Sequence, residues 1–319
     1  MSKLNILTFH RITCKNDKYF IPPMEFSKDN FSLLMKSIRR FFNILDLSKA
    51  VEDMKKGRLP QRSLAVTFDD GYLDNYEFAK DILEKNNIPA TFFVPVNQIE
   101  EGLPYWWDKL YFYIIEYRKD FYRWVVNLRK NRKIFFKLED ELFYKNKNIY
   151  ARSIVRELNL LDNGKRNFFL DEMEKEFGDY LGKRLVMNWN EIADLSDRGF
   201  SIGSHTLSHV PLEDVDLKIA EKEIFESKRI LENKINKNVN GFCYPRGSWN
   251  RDISNIVNKS GYLYAVTTEF GSNDAKSSYY YGLKRRNMSD YSGIRSFLPI
   301  PMYLIEISGF FDKILSGRR

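Results

Sequence analysis

Two adjacent carboxylates follow a short, strongly apolar stretch of the chain. Asp69 and Asp70 come directly after Leu64–Phe68, and Gly71 follows them. The apolar run is typical of a buried strand, and in α/β barrels the chemistry lies at the carboxyl ends of the strands. Gly71 permits a tight turn that brings both carboxylates toward one cavity. Two carboxylates this close repel one another unless a cation binds one of them and offsets the repulsion. The pair therefore indicates a metal site, with an ordinary Asp-Asp-Gly surface turn as the alternative.

Two of the three histidines in the chain fall within five residues of each other. They are His205 and His209, and the third is His10. If this segment is helical, residues four apart share a face, and both imidazoles can bind one ion. With one carboxylate they form a two-histidine, one-carboxylate set that leaves open positions on a divalent metal. Zinc suits these ligands, and iron, cobalt and nickel are alternatives. The second carboxylate is then free to act as a base toward water, so the set predicts hydrolysis of an amide or ester.

Strands and helices alternate around these residues. Asn5–Phe9 is a predicted strand that ends at His10. Further predicted strands are Phe42–Leu45, Leu64–Phe68, Ala90–Val96, Phe200–Gly203, Val239–Tyr244, Tyr264–Thr268 and Gly282–Arg285, and predicted helices are Asp74–Asn86, Asn190–Arg198 and Asp214–Lys234. This order predicts an α/β fold with a largely parallel sheet or barrel.

The stretch 102–184 interrupts the alternation. It is rich in aromatic and basic residues, and we predict a mostly helical insertion there, which divides the barrel into 1–101 and 185–296. Its cluster Tyr105–Trp107 could stack on a sugar ring or pack within the insertion. We predict an amphipathic tail over 297–319. Pro299 and Pro301 should exclude a helix at its start, whereas a helix from about Tyr303 to Leu315 could pack on the barrel or lie on a membrane.

The composition bounds the class of protein. Among 319 residues, 43% are hydrophobic and 29% charged, which excludes disorder, collagen and a coiled coil as descriptions of the whole chain. Cys14 and Cys243 are the two cysteines. They cannot form a disulfide framework or a four-cysteine zinc site, and they fit a reducing compartment. The first residues lack the apolar region of a signal peptide, and we find no transmembrane run, so we expect a cytoplasmic protein.

The net charge of +8 is unevenly placed. Between Arg118 and Arg152 the chain carries 11 Lys/Arg and 4 Asp/Glu. Such a segment could face an anionic membrane or substrate, or form a solvated helical face. Nucleic-acid binding would rest on this segment alone, and we do not expect it.

Several segments together resemble the polysaccharide deacetylases, the NodB-homology group or carbohydrate esterase family 4. Thr67–Gly71 and His205–His209 are similar to the first two motifs of that family, and Phe242–Gly247 to the third. Ala90–Val94 resembles the strand after the first motif, and Trp189–Gly203 the approach to the histidines. Leu7–Ile12 is similar to the Tyr-His-Arg opening of one subgroup, which also has an insertion before the second motif.

The resemblance implies a distorted (β/α) barrel of about seven strands. It implies that Asp70, His205 and His209 ligate the metal and that Asp69 is the general base. It also assigns oxyanion and substrate binding to the third-motif region, at Arg246 through its backbone N–H, and at Tyr244 and Trp249. The products would be acetate and a free amine on a sugar.

This chain departs from the family pattern in two motifs. Cys243 stands where the family usually has an Arg that orients the base, and Arg246 stands where it usually has a Tyr. Asp69 therefore needs another partner, which Arg246 could supply unless it binds an anionic substrate. The fifth-motif stretch Gly282–Asn287 lacks the usual general-acid His. An N-terminal His is the acid in related circularly permuted members, so we predict that His10 is the acid here, with a purely structural His as the alternative.

The expected function is metal-dependent removal of an N-acetyl group from a sugar. For a cytoplasmic enzyme the substrate would be a precursor of a surface glycan, either soluble or lipid-linked. A lipid-linked substrate would call for peripheral association with the anionic inner face of the cell membrane. The alternatives are a deformylase acting on a formamido sugar and a catalytically impaired glycan-binding protein.

Overall fold

The computed structural model describes residues 2–14, 17, 25–131, 133–134, 140–276, 279–290 and 299–308. Contacts between residues divide them into two units. One unit consists of Leu103–Arg184 with Asp17, and the other contains the remaining described residues.

The larger unit is built on a closed barrel of parallel strands. The described strands are β1 Lys3–Phe9, β2 Arg11–Thr13, β3 Glu25–Ser27, β4 Asn43–Ile44, β5 Ser63–Phe68, β6 Ala90–Val94, β7 Ser201–Ser204, β8 Gly241–Cys243, β9 Tyr264–Phe270, β10 Asn273–Asp274 and β11 Leu283–Asn287. Seven of them follow one another in the order β1-β11-β9-β8-β7-β6-β5, and β5 pairs with β1 to close the ring. The predicted seven-stranded (β/α) barrel is confirmed.

The burial of the barrel strands explains their sequences. All six residues of β5 are buried, as are all residues of β1 except Lys3. Strands covered on both faces read as continuous apolar runs, which is why these segments were recognisable in the sequence. The short strand β4 extends the sheet parallel to β5, β10 lies antiparallel to β1, and β2 and β3 form a separate parallel pair.

Helices surround this barrel. The described α-helices of the larger unit are α1 Lys28–Phe41, α2 Leu47–Lys55, α3 Lys80–Lys85, α4 Val96–Glu101, α10 Trp189–Asp197, α11 Leu217–Ile235, α12 Arg251–Lys259 and α13 Pro299–Ile307. A π-helix over Asn75–Ala79 precedes α3, and 3₁₀ turns occupy Leu212–Asp214 and Pro245–Gly247. At the start of α10, the Asn188 side chain and Glu191 form a reciprocal capping box, which fixes the entry to that helix.

The tail helix differs from the prediction. It begins at Pro299, because proline lacks only an N–H that the first turn of a helix does not use. Tyr303 and Ile307 are buried in the barrel core, and the Tyr303 hydroxyl donates to the Ser289 carbonyl at 3.1 Å. This part of the tail therefore packs on the barrel. Tail residues 297–298 and 309–319 lie outside the described residues.

The smaller unit has its own core of helices. They are α5 Trp106–Glu116, α6 Arg118–Lys130, α7 Asp140–Lys145, α8 Lys147–Asn159 and α9 Asn163–Phe177. Aromatic rings dominate the core of this unit. The rings of Tyr105 and Trp107 stack on each other at 4.4 Å, which agrees with packing within the insertion. Among the described helices, none is long and apolar enough to cross a membrane.

Candidate active site

The carboxylates of Asp69 and Asp70 leave the end of β5 in different directions. Both residues are buried, and Asp70 and Gly71 have left-handed backbones with φ of 72° and 63°. A Cβ on Gly71 would lie 3.0 Å from Ile99 and 3.2 Å from Val94, so only glycine fits both the conformation and the space. The turn predicted from the Asp-Asp-Gly sequence is present and lies inside the barrel mouth.

Asp70 faces both predicted imidazoles. Its Oδ1 lies 3.4 Å from Nε2 of His205 and 3.2 Å from Nε2 of His209. The donor atoms of these three residues all lie within 4.8 Å of one another. Ligands bonded to a tetrahedral zinc at 2.0–2.2 Å are about 3.3–3.6 Å apart. Burial alone would raise the pKa of Asp70, but hydrogen bonds from the two imidazoles hold it well below its usual value. Spacing, burial and ligand type therefore fit a divalent metal ion.

The histidines lie on a loop, so the helical arrangement considered for them is wrong. β7 ends at Ser204, and Thr206 and His209 have left-handed φ values of 70° and 56°. Glu223 on α11 holds this loop through Oε2, which accepts from the N–H groups of Leu207 at 2.8 Å and Ser208 at 2.9 Å. Its Oε1 accepts from the Ser208 hydroxyl at 2.7 Å. One buried carboxylate therefore sets the course of the loop between the two imidazoles.

The neighbouring strand β8 fixes the tautomer of His205. Nδ1 of His205 lies 2.7 Å from the Cys243 carbonyl. A carbonyl only accepts hydrogen bonds, so Nδ1 carries a proton, and Nε2, which faces Asp70, is the nitrogen left to bind a metal ion. This is the protonation state that a metal ligand requires.

Asp69 pairs with a guanidinium from the last barrel strand. Arg285 on β11 forms a two-bonded fork, with its terminal nitrogens 2.8 Å from Oδ1 and 2.6 Å from Oδ2 of Asp69. Burial would raise the pKa of Asp69, but the charge and hydrogen bonds of Arg285, together with the charges of His205 and His10, hold the pKa below its usual value. The suggestion that Arg246 supplies this partner is wrong, because Arg246 is exposed and Arg285 occupies the position.

Tyr244 and Trp249 lie in the third-motif region and contact other aromatic residues. The Tyr244 hydroxyl donates to the Tyr281 carbonyl at 3.0 Å, and its backbone N–H donates to Val266 at 3.2 Å. The Trp249 indole lies between two rings, with centroids 5.9 Å from both Tyr244 and Tyr279. The Tyr244 hydroxyl and the Trp249 ring therefore have partners within the protein, and substrate binding at these two residues stays a prediction.

His10 follows β1 at the same end of the barrel. A positive charge on His10 would lower the pKa of both Asp69 and Asp70, so the imidazole lies near the carboxylate pair. Its Nδ1 is buried and has no hydrogen-bond partner among the described residues. Its carbonyl accepts from the Asn75 side chain at 2.8 Å, which ties the backbone of His10 to the π-helix after the Asp-Asp-Gly turn.

A buried ionic network continues from His10 along β2. Arg11 donates to Asp74 at 2.9 Å and to Glu25 at 2.7 Å, and Asp74 also accepts from the Ile12 N–H at 3.0 Å. Arg11 and both carboxylates are less than a tenth exposed. The network fixes the segment after His10 to the segment after Asp70. Sequence reasoning missed these residues, together with Arg285 and Glu223.

The sequence also matches a known family over the segments that build this site. The family model for polysaccharide deacetylases matches residues 56–115 and 172–265. The chain contains a polysaccharide deacetylase domain. The matched ranges contain Asp69, Asp70, His205 and His209, whereas His10 and Arg285 lie outside them.

Relatives in this family are distant in sequence and similar in fold. YxkH of Bacillus subtilis strain 168, which carries the same family name, is 20% identical over 272 residues, covering 85% of this chain and 66% of that protein. The deacetylase PplD of Streptococcus pyogenes, solved in complex with acetate, matches with a TM-score of 0.62 and 17% identity over 93% of this chain and 97% of that one. BC0361, a polysaccharide deacetylase from Bacillus cereus, matches with a TM-score of 0.58 and 19% identity. The match covers 94% of this chain and 69% of that one. These neighbours have the same barrel fold.

Proposed function

We propose that this protein is a metal-dependent carbohydrate N-deacetylase. The observation that carries the proposal is the convergence of Asp70, His205 and His209 on one point beside a second, separately held carboxylate, Asp69. The polysaccharide deacetylase domain supports the same reaction.

The three converging side chains would hold a divalent ion, and zinc fits their type and spacing. Such an ion would polarise the amide carbonyl and lower the pKa of a water molecule. The protein's own contribution is to hold Nδ1 of His205 on a carbonyl, which leaves Nε2 for the ion, and to keep Asp70 ionised. Asp70 and His205 are buried, and the His209 side chain is 10% exposed.

Asp69 would accept the proton from the attacking water. Arg285 uses one lone pair on each Asp69 oxygen, and the Cys243 thiol borders Oδ2 at 3.5 Å, so Oδ1 is the oxygen that keeps a lone pair for the proton. The guanidinium favours the ionised carboxylate, which is the form that a base needs. A general base of this kind contributes about 10²–10⁴-fold to the rate.

His10 would donate a proton to the leaving nitrogen. An amide anion is a very poor leaving group, so the C–N bond breaks only when the nitrogen is protonated. His10 lies beside the carboxylate pair, and Nδ1 has no partner among the described residues that would compete for it. Imidazole is the side chain best suited to proton transfer near neutral pH.

The substrate we propose is an N-acetylated sugar in a precursor of a surface glycan. A lipid-linked precursor would bring the protein to the inner face of the cell membrane, where its positive charge would be attracted to anionic lipid. A formamido sugar is a close alternative, because the same groups would hydrolyse a smaller amide.

The direct test uses purified protein with Zn²⁺, Co²⁺, Ni²⁺ or Fe²⁺ and N-acetylated oligosaccharides. We expect metal-dependent release of acetate and loss of acetyl groups in the mass spectrum of the sugar. Release of formate from an N-formyl sugar alone would identify the deformylase. Tight sugar binding without hydrolysis under every metal would favour the glycan-binding alternative.

A further inference from the structure

The third motif of this chain has a cysteine, Cys243, in place of the usual first arginine. Cys243 occupies the position at the end of β8 where the family usually has the Arg that orients the base. Its Sγ lies 3.5 Å from Asp69 Oδ2, so the residue still borders the base but offers only a neutral thiol, and burial raises the pKa of this thiol. A buried carboxylate without a cation is costly.

We propose that Arg285 on β11 is the positioning residue for the Asp69 base and takes the place of the missing third-motif arginine. The inference rests on the proposed function, because it concerns the base of that reaction. Arg285 lies on β11, in the fifth-motif stretch where family members usually carry the general-acid histidine.

The contacts of Arg285 involve every nitrogen of its guanidinium. Nε donates to the Thr267 carbonyl at 2.8 Å. One terminal nitrogen donates to Asp69 Oδ1 at 2.8 Å and to the Thr8 hydroxyl at 2.7 Å. The other donates to Asp69 Oδ2 at 2.6 Å and lies 3.2 Å from the Cys243 sulfur.

These partners come from four other barrel strands or their ends. Thr8 lies on β1, Asp69 follows β5, Cys243 lies on β8 and Thr267 on β9. The Arg285 side chain is 1% exposed, so it crosses the interior of the barrel. Its plane, and therefore the direction of the Asp69 carboxylate, is fixed by groups around the whole ring.

The planar fork is what makes this residue suitable. Two parallel hydrogen bonds set the orientation of a carboxylate and also stabilise its negative charge. A lysine ammonium has three donors on one atom and cannot reproduce the pattern. The small thiol of Cys243 leaves room for the Arg285 guanidinium beside Asp69. An arginine at position 243 would compete with Arg285 for the same carboxylate. The cysteine at 243 and the arginine at 285 therefore suit each other.

The test compares Arg285 with its neighbour Arg286. Arg286 lies on the same strand, is equally buried, and donates to Asn5 rather than to Asp69. We expect Arg285→Ala to retain the metal and to lose about 100-fold or more in kcat with little change in KM, since small misplacement of a catalytic group has this cost. Arg285→Lys should lose nearly as much. Arg286→Ala should keep kcat within about threefold, as removing a group that does not touch the base leaves the transition state unchanged.

Added methylguanidinium should restore part of the turnover of Arg285→Ala and none to Arg286→Ala. A merely structural arginine would not respond in this way. Near wild-type kcat in Arg285→Ala, or equal losses in the two alanine variants, would overturn the proposal.

A second measurement does not depend on activity. In urea unfolding, Arg285→Met should lower the midpoint more than the double variant Asp69→Asn/Arg285→Met does, because the single change leaves a buried carboxylate unpaired. If the shifts of the urea midpoint caused by the two substitutions simply add in the double variant, Asp69 and Arg285 are not coupled and the assignment is overturned. If the wild-type protein hydrolyses no N-acyl sugar under any metal, the proposed function fails, whereas an active wild type with an active Arg285→Ala refutes this inference alone.

Discussion

At the scale of single residues, two neighbouring carboxylates have opposite surroundings. Asp69 and Asp70 are adjacent and equally buried, yet one meets a guanidinium and the other meets two imidazoles. The left-handed backbone of Asp70 separates their directions. Two identical groups can therefore perform two tasks, since the environment of each decides whether it binds a cation or accepts a proton.

Substitution at the carboxylate pair should separate metal binding from turnover. We expect Asp69→Asn to keep the metal and to lose about 10²–10⁴-fold in kcat, since an amide cannot accept the proton. Asp70→Ala, His205→Ala and His209→Ala should each lose the ion. Elemental analysis of the four purified variants is the measurement, and full occupancy in His205→Ala would contradict the ligand assignment.

His10 should matter only when the leaving group needs a proton. We expect His10→Ala to retain metal and fold, to lose most amide hydrolysis, and to lose less activity on an activated ester such as nitrophenyl acetate. The ratio of kcat/KM for the two substrates is the measurement. Equal losses on both would mean that His10 only shapes the site.

At the scale of elements, the histidine loop depends on a helix that contributes no ligand. Glu223 on α11 accepts three hydrogen bonds from Leu207 and Ser208, which lie between the two imidazoles. A loop lacks the regular backbone hydrogen bonds of a helix or sheet. The Glu223 carboxylate therefore accepts from the loop N–H groups and holds the loop in shape. Residues that orient ligands in this way affect metal affinity without touching the ion.

Removal of this carboxylate should weaken the metal site. We expect Glu223→Ala to reduce zinc affinity about 10–100-fold, whereas Glu223→Gln, which keeps one acceptor, should lose less. Competition with a chromogenic chelator gives the affinity. As a matched control, Glu226→Ala on the same helix removes a carboxylate whose described contact is the surface residue Arg229, and it should bind zinc as the wild type does.

At the scale of the whole molecule, positive charge is concentrated in the helical insertion. The segment from Arg118 to Arg152 carries most of the net charge of +8. In the same unit Tyr144 and Leu160 are 70% and 77% exposed. Basic and exposed apolar side chains together suit an anionic lipid surface, and a lipid-linked substrate would be found at such a surface.

Liposome sedimentation tests this charge distribution. We expect the protein to sediment with anionic vesicles at low salt and to detach as salt rises, because the Debye length falls to about 10 Å at 0.1 M. Vesicles of neutral lipid should retain little protein. Sedimentation that is the same with neutral and anionic vesicles would contradict an electrostatic contact and favour a soluble sugar substrate.

The sequence identified the parts of the site that are local in the chain. The Asp69–Asp70 pair and the two histidines lie in short segments whose residue types point to metal chemistry. Arg285 could not be identified this way, because it is one of three consecutive basic residues and its partner lies more than two hundred residues away. Its burial depends on closure of the barrel, and the loop geometry of His205–His209 depends on Glu223. Neither effect leaves a periodic pattern.

The pairing of β1 with β11 has a consequence for how the protein is made. β1 is synthesised before β5 and can pair with it early, whereas Leu7 of β1 can pair with Arg286 of β11 only after all the other barrel strands have been synthesised. Contacts between such distant residues form late. A nascent chain thus possesses every metal ligand before it possesses the arginine beside Asp69. In refolding experiments we expect binding of the metal ion to precede the recovery of N-acyl hydrolysis. Turnover would then begin only when β11 joins the barrel.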